Sequence, residues 1–395
     1  MPSASPGAPD LRQLVRGGVV AAALAASGLC ASAPAFLEDF VDADDGHLDI
    51  SNWLIDRQGF LPIPIVITEP AVGYGGGVAL MFVRNSMRES AQKARETGHM
   101  SPPDIFVVGA AATENGTKAA FAGGMATFAE DRWRYRGGVG RADVNLAFYG
   151  IGGSGLGDGV QSLAYSLDGW MSSQQVLRRL GDSDNWLGLR WIFLDLDSKL
   201  DLSGDPRAGL RPDEAAQRAS GLGLTLEHDS RDSIFTPSKG WTGALDAMFY
   251  APGIGSDTRF ESYRGHLFAY WPFARDFVLG GRLDGRSVSG TVPFYMLPFI
   301  DMRGIPAGRY QDEHTAVVET ELRWNFTPRW AAVGFIGAGR AWGRSTDFGE
   351  ASSAVSRGVG FRYQIAERLG MWVGLDYAKG PEDGTWYIQV GNAWR

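Results

Sequence analysis

Apolar residues alternate with charged or small ones along much of the chain. In 317–326 (VVETELRWNF), Leu322 and Trp324 occupy one set of alternate positions. Glu319 and Arg323 occupy the other set. Because successive side chains of a β-strand point to opposite faces, this period of two predicts a strand with one apolar and one charged face. The same pattern recurs in three further stretches, namely 240–250, 276–286 and 371–378.

The pattern accommodates about sixteen strands, an even number as a single-chain bacterial barrel requires. Their length of ~10–12 residues matches a tilted strand that spans a membrane, whereas soluble sheets commonly use ~5–6. Many apolar faces begin or end in Trp, Tyr or Phe, as interfacial girdles do. These features favour an all-β fold, a transmembrane antiparallel β-barrel, over a soluble β-sandwich. Twelve or fourteen strands remain open as alternatives.

Composition supports the same class. Glycine accounts for 54 of 395 residues and aromatic residues for 12%, values typical of strands joined by tight turns. After residue 36, no apolar run approaches the ~18 residues of a membrane-spanning helix. The net charge of −8, without a Lys/Arg cluster, argues against nucleic acid as a partner.

The first 35 residues have the layout of a secretory signal peptide, with two arginines before an apolar stretch that ends in the cleavage site APA. A lipoprotein anchored at Cys30 is disfavoured because Leu29 precedes it. The mature chain would then lack cysteine and disulfides. We predict a signal peptide over 1–35, a short acidic periplasmic segment over 36–58 and a barrel over 59–395.

The sequence contains no recognisable catalytic or metal-binding constellation. The stretch DADDG (42–46) hints at a calcium loop, but Gly46 is one position out of register and no suitable Glu follows. The five histidines form no H-E-x-x-H pair, and G-x-S-x-G is missing. We therefore expect no catalytic residue, metal or cofactor; an outer-membrane hydrolase is the enzymatic alternative.

Four segments, in this order, resemble motifs of the BamA/TamA-type outer-membrane barrels, the bacterial surface antigen family. They are GLGLTLEHDSRDSIFTPSKGW (221–241), MRGIPAGRY (302–310), ETELRWNF (319–326) and the closing strands from FIGAGRAWG (335–343) onward. The resemblance covers about 221–395 well, and GFLPIPIVITEPAVGYGGG (59–77) looks like the opening of short members. The short stretch 36–58, between the predicted cleavage site and Gly59, is too short for the periplasmic polypeptide-transport repeats of most members, because a folded domain needs ~50 residues.

The resemblance implies sixteen strands, a weakly closed seam between the first and last strands, and an extracellular loop that folds back into the barrel. It also implies a loop arginine held by acidic residues, here Arg303 followed by Gly304, with Glu321 as the acidic partner. The family's second acidic partner would fall at Gly337, and Ile305 replaces the aromatic residue that follows Arg-Gly.

An arginine in the barrel lumen needs a carboxylate, because an unpaired buried charge costs several kcal/mol. Asp376 faces the lumen in the alternating pattern and could replace the carboxylate missing at Gly337. We therefore expect Arg303, Gly304, Glu321 and Asp376 to anchor the loop. The alternative is a solvated extracellular loop in which Arg303 pairs with nothing.

Two further motifs have more than one interpretation. The D-x-R-D…P-x-x-G residues either shape a periplasmic or luminal site or end a strand and pair locally; they are Asp229, Arg231, Asp232, Pro237 and Gly240. The last stretch, TWYIQVGNAWR, is expected to place Trp386 and Trp394 on one face. Such a final strand resembles the signal by which barrels are recognised for membrane insertion, although Arg395 is last here.

Together these features predict an exported protein of the Gram-negative outer membrane. The expected role is non-enzymatic assistance to the insertion or translocation of proteins or lipids. The expected partners are outer-membrane lipid, the barrel-assembly machinery that inserts the protein itself, and client proteins or lipids. A passive pore or a structural barrel is the alternative.

Overall fold

A computed structural model describes residues 40–42, 45–51, 59–84, 104–149, 163–198, 218–344, 346–351 and 353–394. The predicted signal peptide lies outside the described residues. The prediction of sixteen strands is confirmed. They are β1 (Gly59–Ile67), β2 (Gly75–Val83), β3 (Ile105–Thr113), β4 (Lys118–Phe128), β5 (Trp133–Phe148), β6 (Leu163–Arg179), β7 (Asn185–Ser198), β8 (Arg218–Asp229), β9 (Gly240–Tyr250), β10 (Phe260–Ala274), β11 (Phe277–Gly290), β12 (His314–Trp324), β13 (Trp330–Trp342), β14 (Ser353–Ala366), β15 (Met371–Lys379) and β16 (Gly384–Val390).

The strands form one antiparallel sheet in chain order, from β1 to β16, curled into a nearly closed barrel. Within the described residues, no ladder pairs β1 with β16, so these two strands are the edges of the sheet, and the boundary between them is here called the seam. Strand alternation gives the barrel two distinct ends. The β11–β12 loop (291–313) lies at one, here called the loop end. The β8–β9 turn (230–239) and the β12–β13 turn (325–329) lie at the other, here called the turn end.

The two faces of the sheet differ as the period of two predicts. On β12, Val318 and Leu322 are half-exposed on the outside, whereas Glu319 and Arg323 are buried inside. The turn end lies at the start of odd-numbered strands and at the end of even-numbered ones. Five outward-facing tryptophans lie near it: Trp133, Trp241, Trp271, Trp324 and Trp330. No described helix is long and apolar enough to cross a membrane. An apolar outer belt with an aromatic rim is the surface that a membrane barrel presents to lipid.

The β11–β12 loop folds into the barrel and closes its loop end with two apolar clusters. Its first part, including the 3-10 turn Phe294–Met296, packs on the inner faces of β5 to β11. Its second part inserts Ile300, Met302 and Ile305 against β12, β13 and β14. Burial of these side chains stabilises the inward position of the loop, at about 1.5–3 kcal/mol for each fully buried one.

The turn end is closed by the β8–β9 turn and by the last residues of the chain. β16 ends at Val390, and Gly391 adopts a left-handed conformation with φ of 75°. The chain then bends inward, and Trp394 packs with Phe268, Tyr270 and Val278 inside the barrel. The expectation that Trp394 shares a face with Trp386 is therefore wrong, because Trp394 is 4% exposed and Trp386 50%. Their role as an insertion signal stays a prediction.

The described part of the acidic N-terminal segment is fixed to the turn end by one arginine. The Arg329 guanidinium, in the β12–β13 turn, contacts Asp42 at 2.5 Å, Asp45 at 2.6 Å and Glu367 at 3.0 Å, and it also pairs with Asp49. Asp42, Asp49 and Glu367 bring carboxylate oxygens within 4.8 Å of one another, and Arg329 supplies the countercharge.

Backbone contacts extend this N-terminal clamp. Ile50 N donates to Ile365 O at 2.8 Å, and the Tyr363 hydroxyl donates to Leu48 O at 2.6 Å. The described part of the segment therefore lies against the end of β14 and the β14–β15 turn.

Arg329→Ala should release this segment, because one guanidinium holds four carboxylates that would otherwise repel one another. We expect proteinase K to cut the folded protein between residues 40 and 58 about tenfold faster or more. Arg368→Ala is the matched control, since that exposed arginine lies in the neighbouring β14–β15 turn. Equal cleavage rates in the two variants would contradict the clamp.

The clamp should also weaken in acid. The pKa of Asp45 is lowered from 3.8, mainly because Arg329 donates a hydrogen bond to it. Burial alone would raise the pKa of Asp49, but hydrogen bonds from Ser51 and Arg329 lower it below 3.8. A carboxyl with a depressed pKa stabilises the folded state above its unfolded pKa and loses that contribution as the pH falls through its folded pKa. Proteolysis of the segment should therefore accelerate below about pH 4 and not near neutrality.

Candidate functional site

The candidate site is built around the tip of the inward β11–β12 loop. The loop narrows where Ile300 N donates to Tyr310 O at 2.9 Å and Phe299 bridges to Gln311. Beyond this neck, Gly304 has φ of 83° and Gly308 has φ of 75°. Glycine adopts this left-handed conformation without steric cost, so the two glycines allow a tight turn at the loop tip.

Arg303 extends from this turn into a group of three carboxylates. Its Nη2 lies 2.7 Å from Glu319, and its Nη1 lies 2.7 Å from Asp376 and 2.8 Å from Glu321. Arg303 is 8% exposed, Glu319 4% and Asp376 0%. Charge-assisted hydrogen bonds in such a poorly hydrated place are stronger than those at a surface. The Phe335 ring lies 3.5 Å from the guanidinium carbon and adds a cation–π contact.

Two further arginines balance the negative charge of these carboxylates. Arg362 Nη2 donates to Asp376 at 2.9 Å and is 3.9 Å from Glu321. Arg282 Nη1 lies 3.6 Å from Glu319. The site is thus a network of three acids and three arginines drawn from β11, β12, β14, β15 and the loop. Removing any one member leaves a buried charge uncompensated, the arrangement in which a deletion costs most.

The two departures from the family motif have a packing explanation. Gly337 pairs with Glu319 across the β12–β13 ladder. A Cβ at Gly337 would lie 3.0 Å from Met302 Sδ and 3.1 Å from Glu319 Cγ, so these two side chains use the space of the missing carboxylate. Ile305, which replaces the aromatic residue, is 3% exposed in the apolar cluster of the loop.

Glycines also let the loop approach the last strands closely. A Cβ at Gly304 would lie 2.9 Å from Gly380 N and 3.0 Å from Ser356 Oγ, which leaves no space for a side chain. A Cβ at Gly360 would overlap the Asp376 carboxylate, so this glycine makes room for the acid. Ser356 in turn donates a hydrogen bond to the backbone carbonyl of Arg303.

The loop tip contacts both sides of the seam. On the side of β16, Gly304 N donates to the Tyr387 hydroxyl at 2.9 Å, and the Tyr310 hydroxyl donates to Glu382 at 2.6 Å. On the side of β1, Ala307 N donates to Glu69 Oε1 at 3.2 Å in the β1–β2 loop. The anchored loop therefore bridges the first and last strands, which lack a described ladder of their own.

The free edge of β1 is poor in hydrogen-bond donors. Pro62 and Pro64 both lie in β1, which pairs with β2 over its whole length. Proline has no backbone N–H, and residues two apart direct their backbone groups to the same edge, so prolines of a paired strand belong on its free edge. A ladder between β1 and β16 would therefore lack at least two backbone N–H donors.

The D-x-R-D…P-x-x-G residues form the β8–β9 turn and combine both interpretations of the motif. Arg231 pairs locally with Asp229 at 2.7–2.8 Å, and Asp232 accepts hydrogen bonds from the backbone of Ser238 and Lys239. The turn also reaches inward, where Arg323 donates to Ser238 Oγ at 2.6 Å. Pro237 lies in this inward part, and Gly240 starts β9 with φ of 91°.

The structure brings together the four predicted anchoring residues and adds two side chains, Glu319 and Phe335, that sequence reasoning missed as contacts of the Arg303 guanidinium. Arg303, Glu321 and Asp376 meet directly, and Gly304 sets the turn. Glu319 was predicted to face the lumen, yet its direct contact with Arg303 was not foreseen. Its position two residues before Glu321 on the same face was the available signal. No pattern in the sequence pointed to Phe335.

Comparisons with known proteins agree with this architecture. Residues 210–394 match the Omp85 superfamily domain. The fold is similar to BamA from Haemophilus ducreyi lacking POTRA domains 1–3, with a TM-score of 0.55 and 12% identity over 85% of this chain and 70% of that chain. It is also similar to CdiB from Acinetobacter baumannii (TM-score 0.53, 11% identity, 84% of this chain and 59% of that one) and CdiB from Escherichia coli (0.53, 10%, 84% and 62%). No curated protein sequence matches the chain.

Proposed function

Because the chain is a sixteen-stranded barrel with an Omp85 superfamily domain over residues 210–394, we propose that it assists the insertion or translocation of proteins or lipids at the Gram-negative outer membrane. The proposed route is non-enzymatic and uses the barrel lumen or the seam between β1 and β16. Its partners would be outer-membrane lipid, the machinery that inserts the barrel itself, and client molecules.

The observation that carries this proposal is the anchored loop tip at the seam. Arg303 is held by three carboxylates. Gly304 and Ala307, in the same loop tip, donate hydrogen bonds to opposite sides of the seam. The closing strands of this barrel are joined through a loop, and the first strand carries two prolines. Opening the barrel at the seam should therefore cost little free energy. Such an opening would give a client strand or an acyl chain access to the membrane from the lumen.

The competing role, a passive pore, is disfavoured by the described side chains that fill space inside both ends of the barrel. The loop end is filled by two apolar clusters. At the turn end, Pro237, Glu321 and Trp394 line a cavity of only about 20 Å³. A constitutive pore would need a continuous aqueous path past these contacts between described residues.

Depletion of the protein in its host tests the proposed role. We expect a reduced amount of folded outer-membrane proteins, or an altered lipid composition of the outer leaflet, within a few generations of depletion. Arg303→Ala should fail to restore the envelope, whereas Arg309→Ala, on the same loop, should restore it. An unaltered envelope combined with reduced uptake of a small solute would favour the pore instead.

A further inference from the structure

A second site lies inside the barrel, away from the loop anchor. A cavity of about 380 Å³ lies along the inner faces of β4 to β10, and Ile234 of the β8–β9 turn and Trp394 belong to its lining. Its charged lining consists of five arginines and three carboxylates: Arg134, Arg136, Arg190, Arg231, Arg264, Glu227, Asp229 and Asp246. Asp131, just outside the lining, pairs with Arg134 at 2.7 Å, so the positive charge that is poorly compensated lies on the other arginines.

Arg190, which lies on β7, has the least compensated positive charge of these arginines. Its Nη1 lies 3.4 Å from Asp246 Oδ1, and that oxygen already accepts a hydrogen bond from the Thr225 hydroxyl at 2.6 Å. Its Nε is buried and has no hydrogen-bond partner among the described residues. A long contact to a shared oxygen balances little of the charge of a guanidinium.

Arg264, on β10, shares its carboxylate with two other arginines. Its Nη2 donates to Asp284 Oδ2 at 2.7 Å, and the same oxygen is 3.2 Å from Arg282 and 3.3 Å from Arg286. The Nε of Arg264 and the Nδ1 of the nearby His266 are buried without a partner in the described part of the chain. Arg282 and Arg286 also contact Asp301, at 3.6 Å and 3.1 Å, whereas Arg264 has only its share of Asp284 among the described residues.

The geometry leaves these arginines available to a ligand. The side chains of Arg136, Arg190 and Arg264 are 34%, 33% and 31% exposed. All three point into the barrel, so their exposed part opens on the cavity. The guanidinium fork matches the oxygens of a phosphate, and the volume falls within the ~300–1,000 Å³ of small-molecule sites.

We propose that this cavity binds a phosphate-bearing anion, with Arg190 and Arg264 as its principal ligands. A volume of about 380 Å³ fits a small anion or a lipid headgroup better than a polypeptide in transit. A soluble phosphate ester and a phospholipid headgroup share the chemistry that these arginines recognise. The inference stands on the cavity alone and does not depend on the transport role.

Binding to the detergent-purified full chain tests the proposal with two soluble probes, inorganic phosphate and glycerol 3-phosphate, followed by ³¹P NMR. We expect saturable binding of at least one probe that weakens about tenfold or more in Arg190→Gln/Arg264→Gln. Arg218→Gln is the matched control, because that arginine is 48% exposed and pairs with Asp257 at the loop end. Phospholipid that copurifies with the wild type, but not with the double variant, would identify a headgroup as the source.

A measurement on the wild type covers the case in which the double variant does not fold. Phenylglyoxal labelling of Arg190 and Arg264, read by mass spectrometry, should slow when the bound probe is present, and labelling of Arg218 should not. The proposal is overturned if neither probe binds saturably and no phospholipid copurifies. Equal binding by the wild type and a folded double variant would overturn it as well.

Discussion

Arg303→Ala should destabilise the barrel by about 3–5 kcal/mol, because it leaves two buried carboxylates and the half-buried Glu321 facing one another without their shared cation. Glu319, Glu321 and Asp376 all contact this guanidinium within 2.8 Å. The loop would also lose the residue that fixes its tip beside the seam. We expect the folded form on semi-native gels to unfold at a clearly lower temperature, and the urea midpoint followed by tryptophan fluorescence to fall.

Arg309→Ala provides the matched control within the same loop. Arg309 contacts Glu382 at 3.0 Å, but the two side chains are 26% and 29% exposed. Partly exposed ion pairs commonly contribute about 0–1 kcal/mol, so this variant should unfold close to the wild type. If Arg303→Ala were as stable as Arg309→Ala, the loop would not depend on its carboxylate anchor, and the proposed role of the loop at the seam would lose its support.

The strands and the anchor were accessible from sequence for different reasons. The period of two in stretches such as 317–326 reports directly which side chains face the lumen, so it predicted β12 and the inward position of Glu321. The pairing of Arg303 with Glu321 came from a family resemblance, while Asp376 came from the need for a second carboxylate. Both predictions joined residues far apart in sequence, which alternation alone cannot do.

The remaining contacts depend on backbone geometry that alternation does not encode. The inward bend at Gly391 moves Trp394 from the expected outer face to the lumen. The φ of a glycine in a strand pattern cannot be predicted from the alternation. The space at Gly337 is filled by Met302, a residue of the loop, so its use could be recognised only once the loop was placed. Local patterns thus describe each strand well and describe poorly what enters the barrel.

The structure also reverses the expected importance of the two predicted carboxylates. Asp376 is fully buried and binds both Arg303 and Arg362, whereas the Glu321 side chain is 16% exposed and lies 3.9 Å from Arg362. Asp376→Asn should therefore cost about 3–5 kcal/mol, because it leaves two buried arginines short of negative charge. Glu321→Gln should cost about half as much or less. Urea unfolding of the two single variants measures the order, and a larger loss for Glu321→Gln would contradict it.

A double variant separates the charge at this site from its position. Gly337→Asp restores a carboxylate where the family motif has one, so it would rescue Asp376→Asn if the network needed only a third negative charge. An added Cβ there would lie 3.0 Å from Met302 and 3.1 Å from Glu319, and the new carboxylate would stand beside an existing acid. We expect no rescue, and a further loss of stability in the double variant. Recovery of the wild-type urea midpoint would show that this barrel tolerates the acid at position 337 as well as at position 376, and that the Met302 side chain can move aside.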